Sequence, residues 1–463
     1  MSNLIKKCGI VLLALVLVCG LFAGCGEDTP GSSNAEVSNG NENVAQTGEK
    51  TKLILWSTYG TYGTQYMKAL VDSFNDSQDD YVLEISSGSD ASGIRVKMQT
   101  SDPENYPSLI CGTSTTMAAY AKAKYVAPLQ QFIDADPEKW TEGMYDAVRR
   151  CYTDTEGNLL GIPTGVSFNG YLVNVDLLEA AGYTLADLTS FEKIAQIATE
   201  AVEKKLCKYG ISFASGVDLV DMLTMQGVDI VDADNGYSGN ATKSVLMEGK
   251  SNAALTKAAN IIAELFRKGV ALDYGYGADC AAIFKSNNLL FWKCTNSSTH
   301  NIFTSSSSIR WAFVPSVGVD ENAEFKGCAL SEGTGIFICN TGDEKEMQGA
   351  YEFLKHISKA ENQFQFTTGI GYVPYTLEAT EIYMPWAEEN FPSASNILEM
   401  LKNSPAELGL PFVDVGGEIN IAMGDLIGDI AAYPDGDVAS FIEDASNAID
   451  NGLKIYAMRN EGA

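Results

Sequence analysis

Apolar positions along this chain alternate between the two-residue period of strands and the 3.6-residue period of helices. Leu53-Ile54-Leu55-Trp56 is a short apolar run ending in Ser57-Thr58-Tyr59-Gly60, the pattern of a buried strand entering a loop. Met67, Leu70, Val71 and Phe74 fall at helical spacing. Tyr81 to Ile85 alternates as a strand, Ile94 to Met98 predicts a helix, and Ser108 to Cys111 predicts a third strand. Strand, helix, strand, helix, strand is the alternation of a parallel α/β sheet. Ligands of such open sheets bind at the carboxyl ends of the strands. Here those ends are Ser57-Thr58-Tyr59, Ser86 to Asp90 and Gly112 to Thr115, rich in hydroxyls and small residues, with no basic side chain before Arg95.

A second α/β unit follows. Gly161-Ile162-Pro163 and Tyr171-Leu172-Val173 read as extended, Asp176 to Ala181 as a helix closed by Gly182, and Phe191 to Lys205 as an amphipathic helix. Gly210 to Ala214, Asn288 to Trp292, Trp311 to Pro315 and Gly335 to Cys339 predict strands. Ala253 to Lys268 and Met347 to Ile357 predict helices, and the C-terminal third is mainly helical.

The N-terminus follows another pattern. Lys6 and Lys7 precede an apolar run from Ile10 to Ala23, the length of a signal-peptide core and short for a membrane span. Leu21-Phe22-Ala23-Gly24-Cys25 resembles a bacterial lipobox, which implies cleavage before Cys25 and a lipid on its thiol. Residues 26–50 are polar and small and read as a flexible tether. Lys and Arg total 31 against 60 Asp and Glu, a formal net charge of −29, which excludes binding to nucleic acid through its phosphates. There are two histidines, His300 and His356, far apart and in no catalytic or zinc motif. Beyond Cys25 there are seven cysteines, an odd number with no C-x-x-C pair, read as buried free thiols with room for a disulfide or two.

Several segments together resemble the extracellular solute-binding proteins of bacterial ABC importers that take sugars and glycerol-3-phosphate. These are Trp56-Ser57 with Phe74-Asn75, Gly157 to Pro163, Tyr171 to Leu178 with Ala181-Gly182, Glu352 to Lys355 with Glu361-Asn362-Gln363, and Gly371 to Thr376. The resemblance runs from about Lys52 to Thr380 and departs at Val217, where the family often has an aromatic, and at Phe191, in place of a Trp. It implies a two-lobed α/β fold, each lobe a central sheet flanked by helices, joined by hinge strands and closing on ligand. The expected division is a signal peptide at 1–24, the lipidated Cys and tether at 25–51, a first lobe at 52–162 plus 293–341, and a second at 163–292 plus 342–463. Permease subunits and a separate ATPase are the implied partners of a monomer moored to the outer face of the cell membrane; no P-loop, cofactor or metal is expected.

A sugar asks for flat aromatic faces against its C–H patches and planar polar groups for its hydroxyls. The candidates for stacking are Tyr59, Tyr62, Phe168, Trp292 and Tyr372. Those for hydrogen bonding are Ser87, Asp90, Thr113, Ser114, Asn169, Asn296 and Glu332, with Asp218 ranked lower. Against these stand plain structural roles: Trp292 as core, Tyr59 and Tyr62 as surface loop, Asp90 and Glu332 as helix caps or solvated charges. The chain has six arginines, none between Arg310 and Arg459, so the reading favours a neutral sugar over a phosphoester. A glycosidase, a ligand sensor and a protein for a cationic ligand are the alternatives.

Overall fold

The computed structural model describes residues 50–87, 90–274, 279–299, 309–391 and 393–461, and in these ranges not the side chains of Ser87, Ser114 and a few others. Cys25, the signal segment, the tether and His300 lie outside the described residues. Two sheets organise the chain. The first contains β1 (Thr51–Ser57), β2 (Tyr81–Ser87), β3 (Leu109–Thr113), β4 (Gly161–Pro163) and β9 (Thr334–Ile338), in the order β2-β1-β3-β9-β4. β1 pairs in parallel with β2 and β3, as the alternation requires, and β9 returns antiparallel between β3 and β4. The second contains β5 (Asn169–Asn174), β6 (Tyr209–Ile211), β7 (Leu289–Thr295) and β8 (Trp311–Pro315), in the order β6-β7-β5-β8.

Three crossings tie the lobes together. Residues 164–168 lead from β4 to β5, residues 316–333 lead back from β8 to β9, and residues 404–415 lead from the first lobe's helices to the second's. At the seam, Ser167 bridges Glu332 and Val166 bridges Val373, so crossing segments run side by side like a narrow ribbon. Alternation along β5 divides its side chains: Leu172 joins the core of the first lobe, Tyr171 and Val173 that of the second. Gly170 is required there because a Cβ would meet the Val314 carbonyl oxygen at 2.2 Å.

The lobe boundaries differ from those expected. β8 pairs with β5 in the register Leu172↔Phe313, which puts residues 311–315 in the second sheet. The helices Glu344–Ile357 and Ala360–Ile370 bury Tyr351, Phe353, Leu354 and Phe366 in the first core, because their apolar faces pack on β1 and on the helix Thr61–Ser77. Only from Leu408 onward, through the helices Gly416–Ala432 and Val438–Glu461, does the C-terminal part join the second core. The seven cysteines are buried and free, and burial pushes the Cys111 thiol up to about 11. No helix among the described residues is long and apolar enough to cross a membrane.

Candidate functional site

The seam between the lobes gathers part of the expected set. Tyr59, in the loop after β1, hydrogen-bonds the Thr164 hydroxyl and sets its ring edge-on to Phe366 at 5.4 Å. Burial, then Tyr372, holds its hydroxyl pKa well above the ordinary value. Tyr372 follows Gly371, whose φ of +77° closes the helix before it. Burial also raises Tyr372, against hydrogen bonding from Ser167, and Glu332 stands close enough to raise it further. Glu332 Oε1 accepts from Asn169 Nδ2 at 2.7 Å, while its backbone bonds Ser167 in both directions. Tyr59, Tyr372, Asn169 and Glu332 are all half-buried at the crossing.

Other candidates go elsewhere. Phe168 is completely buried in the first core and Trp292 is 7% exposed, tilted on Phe284 at 5.9 Å, so neither offers a free face for stacking. The reason for Trp292 is strand alternation, which turns it to the side of β7 opposite Lys293. Asn296 is spent on the hinge: Oδ1 accepts from Phe168 N at 2.9 Å and Ser167 Oγ at 3.2 Å, and Nδ2 donates to the Gly371 and Val166 carbonyls. That exhausts an amide's capacity, so it cannot also hold a ligand. Asp90 caps the helix Ala91–Thr100 by accepting from Gly93 N at 2.7 Å and is otherwise exposed. Tyr62 is 39% exposed, donating to the Gly369 carbonyl at 2.7 Å. Thr113 ends β3 and caps the helix Ser114–Lys122. Ser87 ends β2 and Ser114 opens that helix; their side chains lie outside the described set.

Behind Glu332 stands a buried charged cluster that the candidate list mostly missed. Asp218 and Asp221 lie one turn apart on the helix Val217–Gln226, both at most 2% exposed. Asp218 accepts from the backbone N–H of Ala214 at 2.7 Å. Asp221 Oδ2 accepts from Ser316 Oγ at 3.1 Å, and Asp221 Oδ1 has no partner. Lys293, in mid-β7, donates to Ser316 Oγ at 2.6 Å, lies 4.0 Å from Asp218 Oδ1 and stands over the Tyr171 ring at 4.7 Å. Burial raises the pKa of all three carboxyls, and for Asp221 the neighbouring Glu332 adds to the shift. Lys293 pulls each the other way. Three carboxyls against one ammonium cannot all be ionised cheaply, which is why burial and mutual repulsion outweigh Lys293 and leave all three raised. A lysine inside the apolar run Leu289–Thr295, and two aspartates on a largely apolar helix, were the signals available in the sequence.

Where the lobes meet beyond Glu332, a void of about 20 Å³ remains between Thr115 of the first lobe and Val220, Ile419 and Asn420 of the second. That is little more than room for a water molecule, and Thr115 packs so closely on Gly416 that a Cβ at Gly416 would meet the Thr115 carbonyl oxygen at 2.8 Å, so the lobes touch along this edge. Among the described residues no cluster of His, Cys, Asp and Glu could hold a metal ion. His356 is buried with Nε2 on Ser73 Oγ at 2.8 Å, away from the seam.

Comparison with known proteins agrees with this architecture. The sn-glycerol-3-phosphate-binding periplasmic protein UgpB of Yersinia pestis is 25% identical over 382 residues, covering 77% of this chain and 81% of the relative. Its namesake from Salmonella typhimurium is 23% identical over 354 residues, covering 72% and 76%. Among solved structures, the sugar-binding protein MalE of Xanthomonas citri superposes with a TM-score of 0.73 at 14% identity, covering 89% of this chain and 100% of that one. The GacH receptor of Streptomyces glaucescens, solved unliganded and with acarbose, gives 0.69 at 16% identity, covering 88% and 99%. A family model for bacterial extracellular solute-binding proteins matches residues 69–393. The chain therefore belongs to the bacterial extracellular solute-binding protein family.

Proposed function

We propose that this protein is the capturing subunit of an ABC importer, closing its lobes on an uncharged carbohydrate and passing it intact to membrane permease subunits served by a separate ATPase. The observation that carries this reading is the charge of the seam: Glu332, Asp218 and Asp221 gather around a single ammonium, Lys293, already engaged with Ser316. Carboxylates and amide oxygens accept hydrogen bonds from sugar hydroxyls, and a tyrosine offers both a face and a hydroxyl. A phosphate dianion would instead meet three acids and, among the described residues there, no cation beyond the engaged Lys293. Tyr59, Tyr372, Asn169 and Glu332 are the ligand contacts we put first, with Thr113 and Ser114 from the facing helix terminus and Ser87, Asp90 and Tyr62 at the rim. Glycerol-3-phosphate is the competing ligand, because the relatives named above carry it in their names.

Cys25, lipidated after cleavage of residues 1–24, would hold the monomer at the outer face of the cell membrane by a tether of residues 26–50. Nothing in this reading asks the seam carboxylates for chemistry, so a bound sugar leaves unchanged. The test is a thermal-shift series with mono- and oligosaccharides and glycerol-3-phosphate. A melting point that rises with saccharide concentration supports the proposal. A rise with glycerol-3-phosphate alone, or a saccharide recovered shortened, overturns it.

A further inference from the structure

Arg95 reaches from one lobe to the other. It lies on the helix Ala91–Thr100, which packs on β3 in the first lobe. Its Nη2 stands 3.4 Å from Glu418 Oε1, while Nη1 donates to the Tyr456 hydroxyl and, at 3.4 Å, to the Asp414 carbonyl oxygen. The Tyr456 hydroxyl donates to Glu418 Oε1 at 3.5 Å. Lys122, at the end of the helix Ser114–Lys122, places Nζ 3.5 Å from Asp414 Oδ2. Glu418 and Tyr456 belong to the helices Gly416–Ala432 and Val438–Glu461, and Asp414 to the turn before them, all joined to the second core. Two cations of one lobe thus face two carboxylates and a phenol of the other.

The cluster is only partly made. Arg95 Nε, Asp414 Oδ1 and Glu418 Oε2 are buried without a partner. The ionic contacts of 3.4 and 3.5 Å are longer than the roughly 2.7–2.9 Å of a well-formed charged hydrogen bond. The side chains are nonetheless well shielded, at 15% exposure for Arg95 and 13% for Asp414. Beside them lies a cavity of about 220 Å³ lined by Lys122, Asn240, Asp414 and Tyr456, which gives water a way in.

We propose that Arg95, with Lys122, is an electrostatic latch between the lobes, whose pairing with Glu418 and Asp414 sets how much of the ligand-free protein is closed. The contacts exist only while the lobes are shut. Once they part, every charge is hydrated and no buried atom is left unpaired. A latch of long, shielded contacts favours closure yet lets go, which suits a protein that must open to release its cargo. Arg95 acts as a positioning residue, with no contact to the ligand. Its acid partners also occupy the Arg95 guanidinium, withholding it from an anionic ligand.

The test is small-angle X-ray scattering of the purified chain without ligand, for the wild type, Arg95→Glu and the charge swap Arg95→Glu/Glu418→Arg. Salt is raised from about 0.05 M to about 1 M, shortening the screening length to about 3 Å. The wild type should be compact at low salt and expand as salt rises. Arg95→Glu should be expanded at every salt concentration, and the swap should regain the compact, salt-sensitive form. Circular dichroism and melting curves confirm that the variants fold. Equal radii of gyration for all three proteins, or a swap as expanded as the single variant, would overturn the latch. Should a variant not fold, a wild type whose dimensions ignore salt overturns it alone. Because no ligand is added, this outcome is independent of which solute the protein binds.

Discussion

Replacing Lys293 with Met isolates the energetics of the buried cluster. Methionine keeps most of the length and apolar volume of the lysine stem, so the cavity left behind is small. What disappears is the ammonium that donates to Ser316 at 2.6 Å and faces Asp218 at 4.0 Å. Stripping one partner from a buried ion pair costs about 3–5 kcal/mol, a figure that already contains the lost charged hydrogen bond. Against a typical domain stability of about 5–15 kcal/mol this is a large fraction. The cost should also depend on pH. Burial holds Asp218, Asp221 and Glu332 above their ordinary values, so above about pH 4 the folded chain binds more protons than the unfolded one. Stability then falls as pH rises from the unfolded pKa through the folded values. Lys293 opposes this by favouring the ionised forms, and without it the folded values rise further and the fall extends to higher pH. Urea unfolding at pH 5 and pH 8 should give a modest loss for Lys293→Met at pH 5 and the full loss at pH 8. An equal loss at both, or less than about 1 kcal/mol at pH 8, would mean that Lys293 does not offset the buried carboxyl charge.

The same cluster predicts that Asp221→Asn raises the melting point at pH 8 and leaves it nearly unchanged at pH 5, because an amide needs no proton and still accepts from Ser316; a fall at pH 8 would contradict this. Gly170→Ala should cost about 1–3 kcal/mol in denaturant unfolding, since its Cβ would press on the Val314 carbonyl. Gly417→Ala, with nothing within 4 Å of the new Cβ and a place inside a helix, should be neutral or stabilising by up to about 1 kcal/mol. Tyr372→Ala should weaken saccharide binding in calorimetry far more than it lowers stability. Phe168→Ala should show the reverse balance, losing about 3–5 kcal/mol of stability, because that ring is wholly core.

Local pattern carried the strands and helices well. Trp311 to Pro315 and Gly161 to Pro163 are strands as the runs predict, and Phe191–Glu203 and Gly249–Arg267 are helices with the expected apolar faces. Gly210 to Ala214 is shorter than predicted, ending at Ile211, because the following Ala214 and Ser215 amides turn to cap Asp218. Lobe membership was harder to read. The helix Glu344–Ile357 shows an apolar stripe but gives no sign that the stripe faces β1, nearly three hundred residues earlier. The site was only partly legible for a similar reason. A motif match puts Tyr372 near the crossing, yet residue chemistry cannot tell Phe168, which is buried in the core, from Asn169, which donates to Glu332. Asn296 has the chemistry of a sugar contact, and only the geometry shows its four bonds consumed by the hinge. Asp221 and Lys293 interrupt apolar stretches, a signal of a buried pair whose partners only the fold can supply.

On the proposed reading an uncharged polyol closes the seam and is released chemically unchanged. Isothermal titration of the purified protein with maltose, maltotriose, ribitol and glycerol-3-phosphate, followed by mass measurement of the recovered ligand, tests it most directly. Heat and one-to-one binding are expected for at least one neutral compound, returned at unchanged mass, with glycerol-3-phosphate silent. Heat from glycerol-3-phosphate alone would contradict it, and so would a neutral ligand that comes back cleaved.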